Sequence, residues 1–119
     1  MKICVPTVDD KGMESQISPH FGRAPKFIVS DTDPSDVEVL DNTAEHFGGM
    51  AKTPEIIRDA GVDVILVSGI GPRAIQMFEQ MGIRVFVGAT GTAGDALEAF
   101  RSGALQEATD KDACAAHHK

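Results

Sequence analysis

VDVILVSGIGPRAIQMFEQMGIRVFVGATGTAGDALEAFRSG, residues 62–103, alternates short apolar segments with longer amphipathic ones. The apolar runs at residues 62–69 and 83–89 have the length and branched composition of buried strands. Residues 72–82 and 92–103 repeat apolar positions at helical spacing, as does the preceding segment, residues 53–61. Helices that alternate with strands in this way predict a parallel sheet with crossover helices.

Signals at the helix ends support this assignment. Gly61, Gly82 and Gly103 each follow a predicted helix and suit a left-handed C-terminal cap. Pro72 fits a first helical position, and Thr92 with the residue three positions on resembles a capping box in which Asp95 replaces the usual Glu.

The first half of the chain reads as a β-meander. Residues 2–8, 26–31 and 37–40 resemble short strands, with the polar turn DTDPSD between the second and third. Together the two halves predict an α/β fold with a mixed five-stranded sheet in the order 3-2-1-4-5. In this arrangement strand 2 is antiparallel to the other four, and helices cover the faces.

The length of 119 residues suits one compact domain. We assign it to residues 1–105 and expect residues 106–119 to form a polar, flexible tail. No apolar run is long enough to cross a membrane, and the start lacks the features of a secretory signal, so we expect a cytoplasmic protein. Its 2 cysteines do not form a disulfide framework. We expect a monomer or weak dimer.

Charge and composition argue against a nucleic-acid-binding function. A formal charge of −7 with no Trp and no Tyr does not suit a nucleic-acid-binding protein. Acidic residues are absent from residues 15–30, 64–78 and 80–94. Buried strands exclude charge in any protein, which accounts for part of this pattern. It does not account for loops without acidic residues.

The predicted topology brings four connections to one edge of the sheet, which we call the rim: residues 9–25, 42–52, 68–72 and 88–92. Open α/β sheets bind ligands outside the carboxyl ends of their strands. The rim would be rich in glycine, mildly basic and supplied with two imidazoles, which predicts an anionic ligand. Its residues are His20, Arg23, His46, Gly48, Gly49, Gly69, Gly71, Arg73, Gly88, Gly91 and Gly94.

The turn GIGPRA, residues 69–74, formally matches a dinucleotide-binding fingerprint. That match is weak because no acidic residue follows the next strand before Asp95, and because Pro72 removes one backbone donor. Two interpretations remain open: the glycines only permit a tight turn, or the helix N-terminus and Arg73 bind another kind of anion.

Several segments together resemble the dinitrogenase iron-molybdenum cofactor biosynthesis family, which includes NifX, the C-terminal region of NifB and the orange protein. They are SPHFGRAPKF, the pair Gly48 and Gly49, VDVILVSGIGPRA, GIRVFVGATGT, ALEAFRSGAL and the closing Cys-x-x-His-His. The resemblance implies a ribonuclease H-like fold and a non-catalytic carrier of an anionic metal–sulfur cluster. The cluster would be of the molybdenum–copper or iron–molybdenum type, and the protein could be isolated without it. A further implied partner is a MinD/ParA-like P-loop ATPase with an iron–sulfur site.

The resemblance places His20, Phe21 and Gly22 on the family's HFG motif. It makes His20 the leading candidate for contact with the cluster, since imidazole binds iron and molybdenum and can donate to sulfide. Arg23 and Lys26 would offset cluster charge, and His46 is a second candidate. One alternative is that His20 holds its loop in place through a hydrogen bond to a neighbouring carbonyl. The alternative for Phe21 and Phe27 is that they are ordinary core residues.

The tail contains three further potential metal ligands. Cys114, His117 and His118 have spacings that suit one metal ion, and their donors suit copper or zinc. Little apolar sequence surrounds them, so a tail without a bound metal is the alternative. Cys4, within the first predicted strand, is most simply a buried core residue.

Two other functional classes compete with a carrier. A hydrolase of the nuclease type needs several carboxylates that converge on metal ions, and the predicted rim offers only Asp9 and Asp10. No arrangement of a nucleophile with a base is evident. A regulatory interaction module, working with an ATPase, stays open.

Overall fold

The computed structural model of the chain describes residues 1–19, 21, 24–31, 37–41 and 53–108. Its strands are β1 (Lys2–Thr7), β2 (Lys26–Asp31), β3 (Val37–Asp41), β4 (Val64–Leu66), β5 (Arg84–Val87) and β6 (Gln106–Ala108). Its α-helices are α1 (Thr53–Asp59), α2 (Pro72–Gln80) and α3 (Ala93–Arg101). None of the helices in this part of the chain has the length and apolar character needed to cross a bilayer.

The strands form one mixed sheet in the order β3-β2-β1-β4-β5-β6. Strands β1, β4 and β5 are parallel, and β2 pairs antiparallel with both β1 and β3. The predicted order and directions of the first five strands are therefore confirmed. The ribonuclease H-like assignment stays a prediction.

The predicted number of strands is wrong, because the sheet has a sixth. Strand β6 pairs antiparallel with β5, with Gln106 opposite Val87 and Ala108 opposite Val85. Its sequence, Gln-Glu-Ala, has neither the alternation nor the branched residues of a typical strand. It forms because β5 presents a free edge. The sheet thus extends three residues past the predicted domain limit.

The predicted helix ends agree with the structure. Pro72 occupies the start of α2, and Thr92 and Asp95 form a capping box at the start of α3. The three predicted C-terminal glycines adopt positive φ angles, 79° at Gly61, 76° at Gly82 and 78° at Gly103. Local sequence therefore determines where α2 and α3 begin and where each helix stops. The predicted DTDPSD turn lies mostly outside the described residues.

Apolar residues on the two sides of the sheet form two core clusters. Phe27, Ile65 and Phe78 belong to the cluster beneath α1 and α2. Ile3, Val5 and other residues pack under α3 on the opposite face. Alternation along β1 places Cys4 in the first cluster, fully buried, as predicted.

Candidate functional site

The parallel directions of β1, β3, β4 and β5 bring their carboxyl ends to the rim, as predicted. The turns after β4 and β5 are joined there by hydrogen bonds. Ser68 Oγ donates to the carbonyl of Ala89 over 2.7 Å, and the Gly88 N–H donates to the carbonyl of Ser68 over 3.3 Å. These hydrogen bonds fix the two turns relative to each other at the rim.

A segment whose pairing the sequence did not predict runs across the rim beside these two turns. Residues 15–17, which we call the strap, pair with the end of β1 through Ile17 and with the turn after β5 through Gln16. Ile17 N–H also donates to the carbonyl of Gly91 over 3.0 Å. Because β4 lies between β1 and β5, the strap passes across the carboxyl end of β4. The polar–apolar alternation of SQIS is the sequence feature that could have indicated it.

The strap and the capping box together occupy the N-terminus of α3. Ala93 N–H donates to the Ser15 carbonyl over 2.9 Å. Thr92 N–H donates to Asp95 Oδ2 over 3.1 Å, and Asp95 N–H donates to Thr92 Oγ1 over 3.2 Å. With these donors used, and a carboxylate in place, this helix end is poorly suited to an anion.

Gly91 has a structural role at the same turn. Its φ is 82°, and a Cβ built on it would lie 2.4 Å from Asp95 Oδ2. A side chain there would therefore strain the backbone and displace the capping carboxylate. That Gly91 also contacts a ligand stays a prediction.

The N-terminus of α2 is the opposite case. Its N-cap, Gly71, provides no side-chain hydrogen bond, and no acidic residue lies in the first turn. Within the described part of the chain, the N–H groups of Gly69, Gly71 and Arg73 donate to no acceptor. A Cβ built on Gly69 or Gly71 would meet nothing within 4 Å. This helix end is open, and its unpaired donors suit an anion.

Two cations of the rim differ in availability. Arg73 is exposed and makes no ion pair with any other described residue. Lys26, predicted to offset ligand charge, donates instead to Asp41, and this hydrogen bond and the adjacent charge raise the pKa of Lys26. Of these two, only Arg73 has a charge left for a ligand.

Phe21 packs beneath the rim. Its side chain is 4% exposed, with its ring edge-on to Phe78 of α2 at 5.3 Å and tilted against Phe27 at 5.9 Å. Ala24 is fully buried nearby, and its N–H donates to the Phe21 carbonyl over 3.3 Å. The core-packing interpretation of Phe21 and Phe27 is confirmed. The ring packs against α2 and does not offer its face to solvent.

Several predicted site residues lie outside the described part of the chain, and their roles stay predictions. They are His20, Gly22, Arg23, His46, Gly48, Gly49, Cys114, His117 and His118.

The described residues show no metal centre of the kind a nuclease uses. Among them, no three His, Cys, Asp or Glu side chains gather into a group able to hold a metal ion. Asp63 accepts a hydrogen bond from the Lys2 N–H over 2.9 Å, at the edge opposite the rim. A groove of about 370 Å³ also lies near that opposite edge, lined by residues that include Glu79, Arg84 and Ala108.

Comparison with known proteins gives consistent similarities. Residues 1–103 match the sequence profile of the family described as dinitrogenase iron-molybdenum cofactor. An uncharacterized protein of Methanocaldococcus jannaschii, MJ0580, is 32% identical over 112 residues, which cover 90% of this chain and 91% of that protein.

Solved structures show the same similarity. The apo form of the orange protein from Desulfovibrio gigas superimposes with a TM-score of 0.82 at 28% identity, covering 90% of this chain and 92% of that one. The crystal structure of PH0822 gives a TM-score of 0.76 at 37% identity, covering 91% of this chain and 96% of the other. The profile match spans β1 to β5 and all three α-helices, and ends before β6.

Proposed function

The chain belongs to the dinitrogenase iron-molybdenum cofactor family, and from this premise we propose that it is a non-catalytic carrier or scaffold for an anionic metal–sulfur cluster. The cluster, of the iron–molybdenum or molybdenum–copper sulfide type, is the cargo and binds noncovalently at the rim. The similarity to the apo orange protein supports this assignment at the level of the family.

The observation that carries the proposal is the open N-terminus of α2. A helix N-terminus bears roughly half a positive charge, and here neither a side-chain cap nor an acidic residue offsets it. Arg73 adds a full charge in the first turn. Gly69 and Gly71 allow a ligand to approach the backbone closely, because neither has a side chain to stand in the way.

The available donors explain how a cluster would be held. Terminal sulfides and oxo groups of an anionic cluster accept hydrogen bonds from backbone N–H groups and from a guanidinium. Cys4 cannot add a thiolate bond, because it is fully buried and burial raises the pKa of its thiol. A cluster held mainly by hydrogen bonds and charge can be released to an acceptor, as a carrier requires.

Residues outside the described part complete the proposed site. We include His20 as a direct ligand or hydrogen-bond donor, Arg23 as a second cation, and Gly22 and His46 as further rim contacts. Phe21, which lies between His20 and Gly22 in the sequence, packs beside α2. An ATPase partner stays a prediction.

The test is anaerobic cluster uptake by the full chain, followed by desalting, metal analysis and a visible spectrum. Two probes are used: tetrathiomolybdate with copper(I), and an iron–sulfur cluster assembled from ferrous iron and sulfide. We expect a coloured, metal-loaded protein with at least one probe. Protein purified anaerobically from its own cell should also contain metal. A colourless, metal-free protein in all three preparations would overturn the carrier proposal.

Matched arginine variants locate the site. Arg73→Gln should weaken uptake about tenfold, the effect of roughly 1.4 kcal/mol. Arg58→Gln is the control, because it removes the same charge from the last turn of α1, where Arg58 is exposed and, among the described residues, pairs with its neighbour Asp59. Equal uptake by both variants would place the cluster away from α2.

A further inference from the structure

The outer edge of β3 has no partner strand within the described part of the chain. Strand β3 is five residues long, and its register with β2 continues over all of them without a bulge. Edge strands are commonly protected from pairing by short length, by a bulge, or by Lys or Pro. The opposite edge strand, β6, has only three residues. Strand β3, with the sequence VEVLD, has none of these features, so its outer backbone groups can pair with another extended strand.

Apolar surface of the sheet reaches this edge. Val39 lies opposite Ile28, which belongs to the core cluster under α3, yet Val39 is 41% exposed. Val37, on the same face, is partly buried against that cluster. An exposed valine in the middle of an edge strand leaves apolar surface that one further strand would cover.

Self-pairing of β3 has one register that uses the whole strand. In an antiparallel pair related by a two-fold axis, residues directly opposite point to the same face, so the axis passes through a residue. An axis at Val39 pairs all five residues, with Val39 facing its own copy. Glu38 then lies opposite Leu40, and Val37 lies opposite Asp41. An axis at Glu38 would place two carboxylates opposite each other, which is unfavourable.

The charges of β3 are compatible with the register centred on Val39. It places no like charges directly opposite each other, and Asp41 already accepts an ion pair from Lys26. The net charge of −7 on each copy opposes association, but salt screens this repulsion beyond about 8 Å at physiological ionic strength. Association should therefore strengthen as salt is added, whereas association through ion pairs would weaken.

We propose that β3 is a dimerisation edge, at which two copies of this chain pair antiparallel about Val39 and join their sheets into one. Pairing of one short strand buries less surface than a standard interface, so the dimer is weak, with a dissociation constant of roughly 0.1 mM. Antiparallel pairing directs the two rims to opposite ends of the joined sheet. Helix α2 contacts β5, far from β3, and its open end stays accessible in each copy. The dimer goes beyond cluster carriage and does not require it.

Sedimentation velocity of the full chain under reducing conditions, from about 10 µM to about 1 mM, measures this association. We expect conversion from monomer to dimer over this range, more complete at high salt than at low salt. Val39→Lys should raise the dissociation constant about tenfold or more, because it places two like charges directly opposite each other. Val8→Lys is the matched control, since Val8 is 46% exposed but lies beyond the end of β1. Val8→Lys and Arg73→Gln should associate like wild type.

Crosslinking tests the register independently. In a Cys114→Ser background the remaining native thiol, Cys4, is buried. The Cβ atoms of two Val39→Cys chains would lie about 5 Å apart across the axis. A short bismaleimide should therefore join Val39→Cys chains and leave Val8→Cys chains monomeric.

Circular dichroism of every variant should match wild type, which separates loss of association from misfolding. A wild-type protein that stays monomeric at the highest concentration would overturn the proposal. So would a dimer that persists in a folded Val39→Lys variant, or equal crosslinking of the two cysteine variants. A dimer that dissociates as salt is added would indicate association through ion pairs, also against pairing at β3.

Discussion

Two rim glycines that look equivalent in the sequence serve different purposes. Gly91 has a φ of 82° and leaves room for the carboxylate that caps α3. Gly71 has a φ of −75° and a ψ of 158°, which any residue can adopt, and its missing Cβ leaves open space. The first glycine is required by the fold, whereas the open space beside the second agrees with the proposed approach of a ligand to the backbone.

This difference predicts opposite outcomes for one type of substitution. Gly91→Ala should lower the free energy of unfolding by about 1 to 3 kcal/mol, since it combines backbone strain with loss of the cap. Gly71→Ala should change stability by less than about 1 kcal/mol while it weakens cluster uptake several-fold. Urea unfolding and the uptake assay provide the two measurements. A destabilised Gly71→Ala variant with normal uptake would contradict our interpretation of α2.

Phe21 gives a second prediction for a single residue. Phe21→Ala removes a buried ring that contacts both β2 and α2, and should cost about 3 to 5 kcal/mol. Phe21→Leu keeps most of the volume and should cost no more than about 1.5 kcal/mol. Thermal or urea unfolding of both variants is the measurement. A loss below about 1 kcal/mol in Phe21→Ala would mean that the ring contributes little to the core beneath the rim.

Strand β6 is attached to its neighbours by a side-chain ion pair as well as by backbone pairing. Arg84 Nε and Nη2 each donate to a carboxylate oxygen of Glu107 over 3.0 Å. The same guanidinium lies 5.1 Å from the ring centroid of Phe86, and that ring packs edge-on against Phe100 of α3 at 4.9 Å. One arginine therefore connects β6 to β5 and, through a ring pair, to α3.

The attachment of β6 should weaken in acid. The hydrogen bond from Arg84 lowers the pKa of Glu107 below its usual 4.5. The stabilisation of the folded state by the Arg84–Glu107 pair is therefore fully present above pH 4.5. It is lost as the pH falls through the lowered pKa of Glu107. Because both side chains are more than a third exposed, solvent screening limits the effect to about 1 kcal/mol or less.

Amide hydrogen exchange of β6 measures this attachment. We expect Glu107→Gln to accelerate exchange at neutral pH and to remove most of the acid dependence. Glu98→Gln, on the exposed side of α3, is the matched control and should behave like wild type. Exchange in β6 that is equally fast in wild type and Glu107→Gln would show that backbone pairing alone holds the strand.

For the whole molecule, net charge and local charge have opposite signs. The chain carries −7, yet the open end of α2 presents a cation and unpaired N–H groups without a nearby acid in its first turn. Long-range repulsion of an anion is screened by salt within about 8 Å at physiological ionic strength, so close contacts at the rim determine binding. An anionic cargo is thus compatible with an acidic protein.

The extent of the folded domain can be tested by truncation. A chain that ends at residue 108 should keep the thermal midpoint of the full protein. A chain that ends at residue 105 loses β6 and leaves the edge of β5 unpaired, and should lose about 1 kcal/mol, or roughly 4 to 8 °C. Differential scanning calorimetry of both chains is the measurement. Equal midpoints would support the sequence-based limit at residue 105.

The sequence by itself determined the sheet order of five strands, the direction of each and the ends of α2 and α3. These features follow from local periodicity, from Pro72, from the Thr92–Asp95 box and from glycines with positive φ. Each of these signals acts on residues only a few positions away in the sequence. The rim followed too, because parallel strands bring their carboxyl ends to one edge.

Only the tertiary structure decided which parts of the rim are open. The strap at residues 15–17 brings the Ser15 carbonyl to the N-terminus of α3, where the sequence already indicated a Thr92–Asp95 cap, whereas the N-terminus of α2 stays uncapped. Asp41 pairs with Lys26, and β6 forms from three residues without strand propensity. The contact of Ser15 with α3, the Lys26–Asp41 pair and the β5–β6 pairing each join residues 15 or more positions apart, so local sequence does not identify their partners. Their energy depends on the partner that the fold supplies.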